Sequence, residues 1–281
     1  MNRILFEPGE IHDGRATFSG VRAEHVLNVL HGEVGQTLKT GVLDGPIGTS
    51  VIERIEGGAV TVRCTHETPS LLPWIDLILA PPRPRVMKRL LPQLATLGVR
   101  RIVLVGAEKV EKAFWGAQLL KEEIYRPLLI DGLQQAGTTI LPTIEVSKSF
   151  KRFVENKLDS HFGGQSPRIV AHPAARSASA PYQAILWGQS PNLRGQSPEF
   201  GGQSPEFPCS ALGERALPAA TSETLPQVPV LAVGPEGGWT DEEVVRLEEK
   251  GFVRMSLGPR ILRTDTALIA LLSRLMQIYD T

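Results

Sequence analysis

Cysteine is nearly absent: Cys64 and Cys209 are the only two in 281 residues. That excludes a disulfide framework, offers no paired spacing for a metal, and points to a reducing compartment, the cytoplasm. Apolar runs are short everywhere, none approaching the roughly 18 residues of a membrane helix. The opening residues Met1 to Phe6 carry one charge and a brief apolar stretch, unlike a secretory leader. No membrane association is expected. Neither sign of charge is in excess, since 30 basic side chains balance 30 acidic ones. A polycation that coats nucleic acid without selection is therefore disfavoured, although local patches can hide in a neutral total. With 42% hydrophobic residues, the chain can bury a substantial core in two modest domains or one large one.

One patch does hide there. Arg83, Arg85, Lys88, Arg89, Arg100 and Arg101 follow one another with no acidic residue between them, a local field suited to a phosphate backbone. A solvated helix face is the competing reading of the same cluster.

The chain divides by pattern. Residues 1–72 hold short alternating runs, at Arg15 to Phe18, Gln36 to Leu43, Thr49 to Ile55 and Ala59 to Cys64, separated by Gly45-Pro46 and Gly57-Gly58. They read as a small β-domain with a turn or two of helix at Ala23 to Leu30. Residues 73–281 alternate strands with helical stretches, the pattern of an α/β layer around a mostly parallel sheet. Strands are expected at Ile75 to Ala80, Arg101 to Val105, Leu141 to Val146, Ile169 to His172, Val228 to Val233 and Val253 to Leu257. Helices are expected at Val86 to Leu97, interrupted by Pro92, and at Ala117 to Gln135, broken by Pro127. Residues 188–227 are rich in Gly, Pro and Ser and repeat Gly-Gln-Ser-Pro at 188, 195 and 202, with another copy at 164. That composition reads as a low-complexity surface insertion.

Two turns carry the chemistry. In the first, a buried strand runs into Gly234-Pro235-Glu236-Gly237-Gly238, where three glycines permit close approach of a ligand to the main chain. Thr240 and Glu243 then form a capping box that opens a helix ending at Lys250-Gly251. The spacing is neither a dinucleotide fingerprint nor a Walker loop. In the second, a short strand empties into Leu257-Gly258-Pro259-Arg260-Ile261-Leu262-Arg263-Thr264-Asp265 and then a helix with Leu268, Leu271, Leu272 and Leu275 on one stripe. Arg260 and Arg263 present planar, permanently charged donor forks suited to carboxylate or phosphate. Structural ion pairs would use the same residues.

Gly-Pro-Glu-Gly-Gly, followed after one helix and one strand by Leu-Gly-Pro-Arg-Ile-Leu-Arg-Thr-Asp-Thr-Ala, resembles the paired C-terminal motifs of RsmE-type methyltransferases of the SPOUT superfamily. His172-Pro173 is similar to a third motif of that family. The resemblance implies a PUA-like β-barrel RNA-binding domain at 1–72 and a SPOUT domain at 73–281 whose C-terminal segment is threaded into a trefoil knot. It implies S-adenosylmethionine held by His172, Pro173, Gly234, Pro235, Glu236, Gly237, Gly238, Leu257, Gly258, Arg260, Ile261 and Leu262. The implied reaction is methylation of uridine N3 in 16S ribosomal RNA of the small subunit, by a cytoplasmic homodimer. Arg263 would bind a phosphate or steady the negative uracil ring and Asp265 would take the N3 proton, while Arg83, Arg85, Lys88 and Arg89 would grip RNA. Action on transfer RNA or on a ribose hydroxyl, and a non-catalytic role in ribosome assembly, are the alternatives. The chain departs from the family pattern at His31, at Gln93 to Gly98 and at Gly137-Thr138-Thr139, positions expected to face RNA.

Overall fold

The computed structural model describes residues 2–163, 166–173 and 228–279. The repeat segment 188–227 lies outside them. Two six-stranded sheets organise the described residues.

The first contains β1 (Ile4–Phe6), β2 (Ile11–His12), β3 (Arg15–Phe18), β4 (Thr37–Val42), β5 (Ile47–Glu56) and β6 (Ala59–Thr68), in the order β1-β4-β5-β6-β3-β2. Its neighbours are antiparallel except β1, which lies parallel to β4. The β5–β6 hairpin turns on Gly57 and Gly58, both at positive φ (+57° and +77°), as a tight hairpin of this twist requires. Alternation does the sorting: in β3, Ala16 and Phe18 point inward and Arg15 and Thr17 outward. Ile4, Phe6, Val26, Ile52, Val60 and Val62 complete that core. A short helix, α1 (Val21–Glu24), runs on into a π-helical turn, His25–Val29.

The second sheet is parallel throughout. It contains β7 (Ile75–Leu79), β8 (Val99–Val105), β9 (Thr143–Ser147), β10 (Arg168–Ala171), β11 (Val230–Val233) and β12 (Val253–Met255), ordered β12-β10-β11-β7-β8-β9. All residues of β7 and β11 are buried, because helices cover both faces of such a sheet and leave no polar side to alternate with. The helices are α2 (Pro84–Thr96), α3 (Glu122–Ala136), α4 (Phe150–Asn156), α5 (Leu158–Phe162), α6 (Asp241–Glu249) and α7 (Thr264–Tyr279). This is the α/β architecture expected from the alternating pattern.

Three local expectations change. Pro92 and Pro127 both sit inside continuous helices, since packing of α2 against α3 outweighs one missing N–H in each. The second of these helices starts at Glu122 rather than Ala117, and 3-10 turns at Lys112–Gly116 and Gln118–Leu120 occupy the preceding stretch. Thr139 is fully buried and faces no RNA: its Oγ1 donates to the Gly45 carbonyl (2.5 Å) and its carbonyl accepts from the Asp44 N–H (2.9 Å).

That contact belongs to a broad seam between the sheets. The Asn2 and Arg3 N–H groups both donate to the Gln134 carbonyl at 3.1 Å, Arg126 forks onto the Glu7 carboxylate, and Asp44 accepts from the Leu141 N–H at 2.8 Å. Leu5 and Leu43 enter the larger core.

Candidate functional site

In a parallel sheet all carboxyl ends emerge on one edge, and ligands of open α/β sheets gather there. Ala171, Val233 and Met255 are the last residues of β10, β11 and β12, and all three line a cavity of about 360 Å³. The chain that leaves each strand supplies the walls. His172 and Pro173 follow β10, Gly234 to Trp239 follow β11, and Ser256, Leu257, Gly258, Arg260, Ile261 and Leu262 follow β12. Two turns separated in sequence by a helix and a strand thus face one space, and every residue expected to hold the cofactor is in the lining.

The first turn is anchored. Gly234 and Pro235 are buried, and a Cβ on Gly234 would crowd the Trp239 N at 3.0 Å and its ring at 3.2 Å, so a larger residue would force the turn to shift by a few tenths of an ångström. Gly238, at φ +70°, takes the left-handed backbone that favours glycine, and its N–H donates to the Pro235 carbonyl at 2.8 Å. Lys109, in the loop after β8, donates from Nζ to the Gly237 carbonyl at 3.0 Å. Thr240 caps α6 through the box read from the sequence. Glu243, buried at 7% exposure, does more than close that box. Its Oε2 accepts from the Thr240 N–H at 2.9 Å while Oε1 accepts from the Glu108 N–H at 2.8 Å, tying α6 to the β8 loop. Trp239 packs on Phe150 with centroids 5.3 Å apart, and its Nε1 is buried without a hydrogen-bond partner among the described residues.

The second turn is open. Gly258 through Arg263 are all exposed, with Ile261 at 91%. Ser256 organises its start: Oγ donates to the Pro173 carbonyl at 2.9 Å and accepts from the Gly258 N–H at 3.1 Å, while the His172 N–H donates to the Met255 carbonyl at 3.0 Å. Two of the three walls are thereby joined.

A family model for the RNA methyltransferase domain matches residues 69–191 and 210–276. The chain belongs to this RNA methyltransferase family. Ribosomal RNA small subunit methyltransferase E of Treponema pallidum is 30% identical over 275 residues, 96% of this chain and 88% of that one. The protein of the same name from Bacillus subtilis is 47% identical over 66 residues, 23% of this chain and 26% of its own. Among solved structures, a Legionella pneumophila methyltransferase in complex with bound SAM is 26% identical with a TM-score of 0.63, over 98% of this chain and 97% of that one. Ribosomal RNA small subunit methyltransferase E from Neisseria gonorrhoeae, bound to S-adenosyl methionine, shares the fold at 20% identity and a TM-score of 0.65, over 99% and 98%.

In this member of the family the basic cluster separates into parts. Arg100 forks onto buried Asp76 (2.9 and 2.6 Å), and Arg101 donates to the His161 carbonyl at 2.8 Å; both serve the core. Arg85, Lys88 and Arg89 share one exposed face of α2 at helical spacing. Arg83 precedes the helix between Glu111 (3.0 Å) and Glu236 (3.7 Å). The hydrogen bond to Glu111 raises its pKa above the ordinary value, with further help from Glu236, so it is a fixed cation between two carboxylates. Arg89 reaches Asp265 at 3.2 Å, which brings the basic face of α2 beside the second turn. Arg263 and Asp265 are outside the cavity lining. Asp265 has its other oxygen 2.9 Å from the Thr266 N–H.

Sequence reasoning missed Ser256, Lys109 and the lining residue Thr264. A serine one residue past a strand and a lone loop lysine carry no pattern, so their roles exist only once distant segments meet. Trp239 had a signal, an aromatic residue directly after a glycine turn.

Proposed function

We propose that this chain transfers a methyl group from S-adenosylmethionine to N3 of a uridine in 16S ribosomal RNA of the small subunit. The observation that carries the reading is the convergence of the 234–238 and 257–262 turns, with His172 and Pro173, on one cavity at the carboxyl edge of the parallel sheet.

The residues present fit the cofactor. The volume lies within the roughly 300–1,000 Å³ of small-molecule sites, and the glycine turn exposes main-chain polar groups. The Trp239 Nε1 offers a buried donor with no partner among the described residues. Gly234, Gly238 and Leu257 would bind adenine, ribose or the amino-acid tail through main-chain groups, and Ile261 and Leu262 would form an apolar wall. S-adenosylmethionine supplies an electrophilic methyl on a sulfonium. The protein aligns uridine N3 with it, and alignment supplies much of the barrier reduction. Arg263 would steady the negative uracil ring, and Asp265 would accept the N3 proton, which requires its ion pair with Arg89 to open. Arg83, Arg85, Lys88 and Arg89 would hold phosphates. The chain would act in the cytoplasm as a homodimer on the small ribosomal subunit, with the N-terminal sheet unit (1–72) gripping RNA and the 73–281 unit, in its knotted form, performing the transfer. No described helix is long and apolar enough to cross a membrane.

Nucleoside mass spectrometry of small-subunit ribosomal RNA tests this reading. Deleting the gene should abolish one N3-methyluridine, and its return with Gly238→Val in place of the native chain would refute the assignment of the turn.

A further inference from the structure

We propose that a second cavity, in the N-terminal sheet unit, receives one unstacked nucleobase of the RNA; the inference rests on the RNA methyltransferase reading above. The cavity measures about 230 Å³ and lies between the π-helical turn and β4, with His25, Leu30, Gln36, Lys39, Asn2 and Ile4 in its lining. It is smaller than the roughly 300–1,000 Å³ that hold a drug-sized ligand, a size suited to a single heterocycle.

Several observations point to a polar, partly apolar guest. His25 Nε2 is sealed from solvent yet has no hydrogen-bond partner among the described residues, a costly condition unless a ligand atom completes it. Leu30 is an apolar side chain left 40% exposed at the rim, available to cover the face of a base. Gln36 engages its side-chain carbonyl with the Glu33 N–H at 3.0 Å, and its amide NH₂, without a hydrogen bond among the described residues, offers a donor for a base edge. Lys39 is exposed beside it, placed for a phosphate.

The backbone is shaped for this arrangement. His25 opens a π-helical turn in which the Leu30 N–H reaches back to the His25 carbonyl at 3.1 Å, and the chain leaves it through His31 at φ +49°. Such single π-turns recur at functional sites because the extra residue re-aims side chains. Asn2 and Arg3, at the cavity wall, are the residues whose N–H groups bind Gln134 in α3. A base held there is therefore in fixed register with the methyltransferase sheet. A nucleobase, with one polar edge and two apolar faces, matches this mixture; stacking and edge contacts are how proteins hold single-stranded RNA.

The test uses the full chain with two fluorescein-labelled probes of equal length, a single-stranded oligouridylate and its abasic ribose-phosphate counterpart, read by fluorescence anisotropy. His25→Phe, which fills the cavity, should weaken oligouridylate binding about tenfold and leave the abasic oligomer within about twofold. Gln36→Leu, on the exposed rim where folding is not at stake, should reduce the same preference in the same direction. Calorimetry with S-adenosylmethionine should be unchanged for both variants. If both keep the wild-type preference for bases, or if the wild type shows none, the cavity does not hold a base and the proposal is overturned. Transfer of tritiated methyl to small-subunit ribosomal RNA by the wild type is measured separately. Its absence would overturn the methyltransferase reading without touching the base preference.

Discussion

Between β11 and α6 the chain turns with Gly234 and Pro235 buried and is held by Lys109, Glu243 and the packed ring of Trp239. Between β12 and α7 it turns with Gly258 through Arg263 exposed, and the polar ties at the start of that turn centre on Ser256. Both turns line the same cavity. The contrast separates two tasks that a binding site must combine. A wall fixed before the ligand arrives lowers the ordering cost of binding, and a wall left in solvent can gain apolar burial when a ligand or partner covers Ile261 and Leu262. Damage to the first turn should therefore appear in folding as well as binding, and damage to the second in binding alone.

The largest expected effect is at Trp239. Trp239→Ala removes a side chain 6% exposed and should lower unfolding stability by about 3–5 kcal/mol, the usual loss for a buried large aromatic, read by urea denaturation. A loss below about 1 kcal/mol would mean that the first turn is not anchored by this ring. Next is Glu243→Ala, which removes the capping partner and leaves the Glu108 N–H without an acceptor. About 1–3 kcal/mol should be lost, together with weaker S-adenosylmethionine binding in calorimetry. Ser256→Ala should cost about 1 kcal/mol or less, with a rise in KM for S-adenosylmethionine as the larger consequence, because the hydroxyl joins the 173 and 258 segments. The smallest effect on folding is expected for Ile261→Ala, within about 0.5 kcal/mol of wild type as for other exposed sites, while methyl transfer falls. Unaltered transfer in that variant would remove the functional half of the contrast.

Arg89→Ala sharpens it differently. The pair with Asp265 is solvent-exposed on the arginine side, so its loss should change stability by no more than about 1 kcal/mol. If Asp265 is the proton acceptor, kcat should not fall in this variant when RNA is saturating. A fall in kcat matching that of Asp265→Asn would instead assign the pair a positioning role.

Much of this was legible in the residues. Period-two alternation gave β3 its bounds, and continuous apolar runs marked β7 and β11 because strands covered on both faces need no polar side. The capping box at Thr240 was readable because it is local in sequence. The start of α3, the 3-10 turns before it and the helices running through Pro92 and Pro127 were not, since tertiary packing decides whether a helix tolerates a missing N–H. The burial of Thr139 was equally invisible: threonine after glycine reads as a surface turn until another module closes over it.

The sequence by itself determined the two glycine turns, the helices that follow them and the family to which they belong, because capping, periodicity and backbone freedom act over a few residues. Only the tertiary structure decided that these turns share one cavity, that Glu243 and Lys109 tie the first turn to the loop after β8, and that Arg100 and Arg101 serve the core while Arg85 and Lys88 face solvent. Those outcomes depend on which strands become neighbours in the sheet, and strand adjacency is set by long-range burial that no local run of residues encodes.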